Sequence, residues 1–325
     1  MPVKDAAAHL PACLESIFSQ SVSDFEVVAV ENGSGDASLE ILRAWAGRDA
    51  RLRLIEAGPG PSLPQALNQG LAACEGEFVA RMDADDTSLP GRFEAQLALL
   101  KSGCDLAGAR VELFSVGPLS EGYQHYQSWV NALTSDEAIR RELFIECPLP
   151  HPTWMARREV FERFPYLDDG LPEDYHFVLR AAEAGLSLAK PEAPLLRWRE
   201  HPARHSRLHP RYSRPAFMRL RARFLKKMLI RGAPCLVWGA GNRGRLLTRL
   251  LLEEGVRVEH VVGWSPKAQQ PVSVHGVAVL PPEALPRKLQ GPLIACVGEP
   301  GAREAIRAYC SGRGWAEGRD YWFAS

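Results

Sequence analysis

Short apolar runs alternate with amphipathic segments along the first hundred residues, and few folds accommodate that rhythm. "FEVVAV" (25–30), "RLRLIEA" (51–57) and "EFVARM" (77–82) are short enough for buried strands, and between them "ASLEILRAWAG" and "SLPQALNQGLAACEG" carry apolar residues at helical spacing. Strands alternating with helices predict parallel pairing with crossover helices, an α/β architecture. The turn "ENGSGD" is rich in Asn, Gly and Ser, and Asp36 is placed to cap the helix after it. "SLPGRFEAQLALLKSG" predicts a further helix and "DLAGARVELF" a further strand. A doubly wound domain normally opens on a strand. Here Met1 to Asp5 leads at once into the helical "AHLPACLESIFSQ", so the first strand is expected to be shortened or missing.

Beyond residue 118 the pattern thins. "DEAIRRELFIE" predicts a helix, "HPTWMA" a strand, "RREVFERF" a short helix, and "PEDYHFVLRAAEAG" an amphipathic helix with Pro172 near its first turn and Gly185 at its end. The Arg- and His-dense "RWREHPARHSRLHPRYSR" shows no regular pattern. "PAFMRLRARFLKKMLIR" (215–231) is a basic amphipathic helix with Phe217, Leu220, Phe224 and Met228 at helical spacing; packing between domains is its first reading and peripheral contact with an anionic membrane its second. A second α/β pattern then starts afresh. The predicted organisation is a first domain over 1–214, a linker helix over 215–231 and a smaller domain over 232–325.

A chain of 325 residues, 46% apolar, can bury two cores. Lys plus Arg (39) balance Asp plus Glu (39), so the global charge points to no nucleic-acid partner. The seven cysteines are odd in number, scattered and free of any C-x-x-C, which predicts buried thiols in a reducing cytoplasm rather than disulfides or a zinc knuckle. No apolar run approaches the roughly 18 residues that span a bilayer and no signal peptide is evident. The expectation is a cytoplasmic protein, at most resting on the inner face of the membrane.

"VARMDADDTSLP" (79–90) sets Asp83, Asp85 and Asp86 within four positions after an apolar run, which calls for a positive partner. Solvated turn formers are one reading. A haloacid dehalogenase-like phosphatase is another: Asp83, Asp85 and Thr87 form D-x-D-x-T, with Asp83 as nucleophile and Asp85 as acid/base. That chemistry places its nucleophile on the domain's first strand and needs a later lysine; three strand-helix units precede this cluster, and beyond Lys101 the next lysine is Lys190. The third reading is a nucleotide-sugar transferase, whose D-x-D carboxylates hold a ribose and a divalent cation that bridges the diphosphate, oxygen ligands being what Mg²⁺ and Mn²⁺ select.

The companions of this cluster decide among them. "MPVKDAAAHLPACLESIFSQSVSDFEVVAVENGSGDASLEIL", "LPQALNQGLAACEGEFVARMDADDTSLPGRFEAQLALL", "HPTWMARREVF" and "PEDYHFVLRAAEAG" occur in an order that resembles the family 2 inverting glycosyltransferases of GT-A fold, over roughly residues 1–210. The resemblance implies Mn²⁺ or Mg²⁺, a nucleotide-sugar donor with UDP-sugar favoured, and a glycan or lipid-linked acceptor in cell-surface polysaccharide assembly. It implies that Glu31 and Asn32 contact the base, where relatives usually read Asp-Asp; that Asp83 reaches the ribose and diphosphate; that Asp85 is the main metal ligand; and that Asp86 supports the loop. Inversion needs a base for the acceptor hydroxyl. Glu173 and Asp174 open a helix, whose dipole favours an ionised carboxylate, and by resemblance Asp174 is the base and Glu173 positions the acceptor. Arg199, His201 and His205 fall where relatives carry an Arg-x-His segment, so that Arg199 would face the leaving phosphate and His201 the metal. His151 is a candidate acceptor-pocket residue.

In the smaller domain, Gly239, Gly241 and Gly244 form G-x-G-x-x-G between a predicted strand and helix, a nucleotide-binding pattern. Gly263 and Trp264 stand where a ribose-binding aspartate is usual, and no Tyr-x-x-x-Lys follows. The expectation is a Rossmann-like binding or regulatory domain, with NAD or another nucleotide as candidate ligand. A rival reading of the whole chain is a nucleotide-binding scaffold whose transferase domain is impaired.

Overall fold

A computed structural model describes residues 1–202, 204–263 and 273–325. The chain divides into two compact units. The first comprises Met1–Ile139, Pro148–Asp169 and His176–Leu208; the second comprises Arg140–Cys147, Gly170–Tyr175 and His209–Ser325.

The first unit opens with β1 (Pro2–Val3), α1 (Leu10–Phe18), β2 (Val27–Glu31), α2 (Ser38–Ala46), β3 (Leu52–Glu56) and α3 (Leu63–Ala73). The strands pair in parallel in the order β1-β2-β3, with Pro2 opposite Val30 and Val27 opposite Leu52. The first strand is thus two residues long. All five β2 residues are buried. α1 buries Leu10, Cys13, Leu14 and Ile17, the spacing of one helical face. Ser62 begins α3 with a capping box: its hydroxyl accepts from the Gln65 amide while the Gln65 side chain accepts from the Ser62 N–H.

There follow β4 (Phe78–Ala80), β5 (Thr87–Ser88), α4 (Arg92–Lys101), β6 (Leu106–Ala107), β7 (Arg110–Phe114), α5 (Glu121–Ala132), α6 (Asp136–Glu142), β8 (Met155–Arg157), α7 (Arg158–Arg163), α8 (Glu173–Glu183), β9 (Leu188–Ala189), β10 (Pro194–Arg199) and α9 (His205–Leu208). They build two mixed sheets, β4-β8-β6-β9 and β5-β10-β7. The run "DLAGARVELF", expected as one strand, divides between these sheets. The break is at Gly108, where a Cβ would lie 2.7 Å from Leu149 Cδ2. "HPTWMA" is strand only from Met155; His151–Thr153 form a 3₁₀ turn through Pro152. The basic stretch expected to lack regular structure contributes the end of β10, α9 and a 3₁₀ turn over Pro210–Tyr212.

The second unit contains α10 (Arg214–Leu225), extended by a π turn over Lys226–Ile230, then β11 (Cys235–Trp238), α11 (Asn242–Glu253), β12 (Val258–Val262), β13 (Ser273–Val274), β14 (Val277–Leu280), β15 (Leu293–Ala295), α12 (Ala302–Gly312) and β16 (Tyr321–Phe323). The sheet order is β13-β14-β12-β11-β15-β16, parallel except for β13. Chain order runs outward in one direction from β11 through β12 and β14, and in the other through β15 and β16. On α10, Met218, Leu220, Ala222, Phe224 and Leu225 are all buried, and Phe217 lies against Tyr175 at 5.7 Å between ring centroids. That apolar face is taken up inside the unit. No described helix is long and apolar enough to cross a membrane, and all seven cysteines are free. Trp264 lies outside the described residues.

Candidate active site

The acidic cluster sits on the loop between β4 and β5. β4 is held antiparallel on β8, with the Arg81 amide donating to the Trp154 carbonyl at 2.8 Å. β5 pairs with β10, Thr87 opposite Arg197, so the following residues of β10 run back toward the cluster. There the Arg199 amide donates to Asp86 Oδ1 and its Nε donates to the Asp85 carbonyl, each at 2.8 Å. Asp83, Asp85 and Asp86 bring one carboxylate oxygen each within 4.8 Å of the others.

Charges so crowded need compensation, and a fixed positive charge meets one of the three carboxylates. Arg81, buried, pairs with Asp83. His201 Nε2 lies 3.1 Å from Asp85 Oδ2. Asp86 has the Arg199 amide, yet its other oxygen, Oδ2, is buried without a hydrogen-bond partner. Burial, then the Asp83 and Asp85 charges, push the Asp86 carboxyl well above the usual carboxylate range. Burial followed by the same three aspartates raises the Cys13 thiol, whose Sγ contacts the Asp83 carbonyl at 3.3 Å. A divalent cation would relieve this excess of negative charge, and carboxylate oxygens with one imidazole suit Mn²⁺ or Mg²⁺. The residues fit the ion.

The predicted base-contacting turn has a more divided role. Glu31 is buried, and its carboxylate accepts from the Gly33 and Ser34 amides at 3.2 and 2.5 Å, so it shapes its own turn. Gly33 has φ +70°, and a Cβ there would come within 2.6 Å of Pro59 Cα, which restricts the position to glycine. Asn32 donates through Nδ2 to the Pro61 carbonyl at 3.0 Å, while its Oδ1 is buried with no partner. This acceptor is available to a ligand N–H. Arg199 rests its guanidinium on the Phe114 ring at 4.4 Å.

His151 lies in the 3₁₀ turn before β8. It is buried, its Nε2 lies 2.9 Å from the Tyr166 hydroxyl, and its ring packs 4.4 Å from that of Trp154. Burial, then the Arg81 charge, hold its pKa well below the ordinary histidine value. Its ring is thus packed in an aromatic cluster, with its Nε2 turned to Tyr166.

In the second unit, Glu173 and Asp174 open α8. Glu173 is 1% exposed and accepts from the Tyr212 hydroxyl at 2.7 and 2.8 Å and from Arg211 at 3.3 Å. Asp174 is half-buried, with Oδ1 accepting from the Tyr175 amide at 2.7 Å. Gly239, Gly241 and Gly244 occupy the β11–α11 turn of this unit. Arg81 had no sequence signal beyond its place next to the acidic motif, and Arg211 and Tyr212 none beyond their place in the basic stretch. His9, the N-cap of α1, was also missed, although it lies in the field of Arg199, Asp85 and His201.

Comparison with known proteins accounts for this arrangement. Residues 1–164 match the family model "Glycosyl transferase family 2". An uncharacterized glycosyltransferase of Haemophilus influenzae is 26% identical over 205 residues, 61% of this chain and 63% of the relative, so the chain spans less than two thirds of that protein. The amylovoran biosynthesis glycosyltransferase AmsE of Erwinia amylovora is 30% identical over 191 residues, 57% of this chain and 68% of the relative. S. aureus TarS 1-349 in complex with UDP-GlcNAc shares the fold with a TM-score of 0.54 at 18% identity, covering 77% of this chain and 70% of TarS. The mannosyltransferase PcManGT from Pyrobaculum calidifontis, in complex with GDP-Man and Mn²⁺, gives 0.50 at 21% identity, covering 70% of this chain and 60% of its own. These likenesses show the GT-A fold. With residues 1–164 of 325 matched, the chain belongs to glycosyl transferase family 2.

Proposed function

We propose that this protein is a metal-dependent inverting glycosyltransferase that moves a sugar from a nucleoside-diphosphate donor to a glycan or lipid-linked acceptor, in assembly of a cell-surface polysaccharide at the cytoplasmic face of the membrane. The observation that carries the reading is the partly compensated cluster of Asp83, Asp85 and Asp86, with His201 on Asp85 and one Asp86 oxygen buried unpaired. Asp85, Asp83 and His201 would hold Mn²⁺ or Mg²⁺, and a bound ion would neutralise the diphosphate as it departs. The relative named for amylovoran biosynthesis, and the neighbours bound to UDP-GlcNAc and to GDP-Man with Mn²⁺, support the substrate class.

The remaining roles fall to this chain's own groups. Asn32 Oδ1 would accept a ring N–H of the base, which uracil and guanine both offer, and a UDP-sugar is the donor the family resemblance favours. Glu31 and Gly33 keep that turn in shape. Asp174, at the start of α8, would take the proton of the acceptor hydroxyl as the sugar transfers. Glu173 is committed to Arg211 and Tyr212, so it would fix the helix start that carries Asp174.

A thermal-shift screen of nucleotide sugars with and without Mn²⁺ tests the reading, because a ligand of the native state raises apparent stability. The expected result is stabilisation by a UDP-sugar only with metal, abolished by Asp85→Ala. Asp174→Asn is expected to retain that binding and lose transfer by about 10²–10⁴-fold. Wild-type transfer by Asp174→Asn removes it as the base; metal-independent binding of every donor removes the ion.

A further inference from the structure

No residue of the proposed transfer reaction lines a cavity of about 820 Å³ in the second unit. It is bordered by the carboxyl ends of β11, β12 and β15, where the strand order reverses, the position at which open parallel sheets bind ligands. The glycines of the β11–α11 turn are not equivalent there. At Gly239, φ is +147° and a Cβ would lie 2.3 Å from the Cys296 carbonyl oxygen; at Gly244 it would lie 1.8 Å from the Gly239 oxygen. The protein's own packing requires both. Gly241 has φ −80°, which any residue adopts, and a Cβ there would meet nothing within 4 Å. Packing does not require it; at the N-cap of α11 it also leaves the backbone open to approach.

Arg243 supplies an independent observation. Its half-buried side chain lines the cavity and has no hydrogen-bond or ion-pair partner among the described residues; it passes over Gly298, where a Cβ would lie 2.7 Å from its Nε. An arginine that lines a cavity with its charge unpaired is suited to an anionic ligand. After β12 the chain continues into Gly263, with no carboxylate at the position that holds the ribose of a dinucleotide. The rim carboxylates Glu283 and Glu299 come instead from the segments after β14 and β15.

We propose that this cavity binds a phosphorylated small molecule, a nucleotide or sugar phosphate, with its phosphate at the Gly241–Arg243 backbone and the Arg243 guanidinium, and its hydroxyls toward Glu283 and Glu299. Calorimetry on the full chain in EDTA, in the Asp85→Ala background, keeps the donor site silent, so failure of the transferase reading leaves the result unaffected. The probes are AMP, UDP, glucose 6-phosphate and inorganic phosphate. At least one organic phosphate should bind saturably, the nucleotides and the sugar phosphate separating the two sources. Gly241→Val and Arg243→Ala should each weaken binding tenfold or more, Arg243→Ala leaving the unliganded melting temperature unchanged and Gly241→Val lowering it slightly through the N-cap, whereas Gly239→Ala should lower that temperature most. No saturable binding by any organic phosphate, or binding indifferent to Gly241→Val, overturns the proposal.

Discussion

Glu173 and Asp174 are neighbouring carboxylates with different surroundings. Glu173 closes a buried contact with Arg211 and Tyr212, so Glu173→Ala would leave a buried guanidinium without that partner, a loss of about 3–5 kcal/mol. Tyr212→Phe removes one hydroxyl donor and should cost about 1–3 kcal/mol. Asp174→Asn, at a half-buried position, should leave stability nearly unchanged while transfer collapses. Urea midpoints beside initial rates separate the two: equal destabilisation by Glu173→Ala and Asp174→Asn would contradict the division of roles. At this scale the sequence was legible in part. Spacing marks Asp83 and Asp85 as a pair and demands a positive neighbour, but it does not show which way a carboxylate turns. Glu31 turns into its own loop, and Arg81 answers Asp83, because backbone geometry directs each of them.

At the scale of elements, the 3₁₀ turn before β8 inserts His151 into a cluster with Trp154, Tyr166 and Phe177, the last 5.1 Å from Trp154. The imidazole is neutral in the fold because burial and Arg81 depress its pKa, whereas the unfolded chain titrates near the ordinary value of about 6.5. Below that value the unfolded state binds the extra proton, so His151 contributes a loss of stability as pH falls from about 7 toward 5. Urea midpoints measured across that range should fall more shallowly for His151→Phe than for the wild type; parallel curves would show that His151 does not titrate between the two states. Most helices and parallel strands could be read from apolar spacing, because α1 and β2 express it locally. The division of residues 105–114 at Gly108 could not, since its cause is Leu149, some forty residues away.

For the whole molecule, apolar pattern and compactness divide the chain differently. The pattern restarts after residue 231, but the second compact unit also takes Arg140–Cys147 and Gly170–Tyr175 from between segments of the first. Those pieces are bound within it by specific contacts: Tyr175, fully buried, donates its hydroxyl to the Leu143 carbonyl at 2.7 Å and meets the Phe217 ring, and Arg221 donates to the Ile145 carbonyl at 2.5 Å. Local sequence cannot announce such recruitment, because each piece is too short to carry a periodic signal. It follows that residues 1–214 should not behave as an independent domain. The cut removes Phe217 and Arg221, exposing the Tyr175 ring and leaving the Ile145 carbonyl without its donor, beside the helix start that bears Asp174. In the intact chain, Leu220→Ala and Phe224→Ala should cost about 2–5 and 3–5 kcal/mol as buried truncations of α10. Size-exclusion chromatography and thermal melts of the 1–214 fragment should show aggregation or a markedly lowered transition. A monodisperse fragment with the full chain's melting temperature and metal-dependent donor binding would mean that the recruited segments fold without α10.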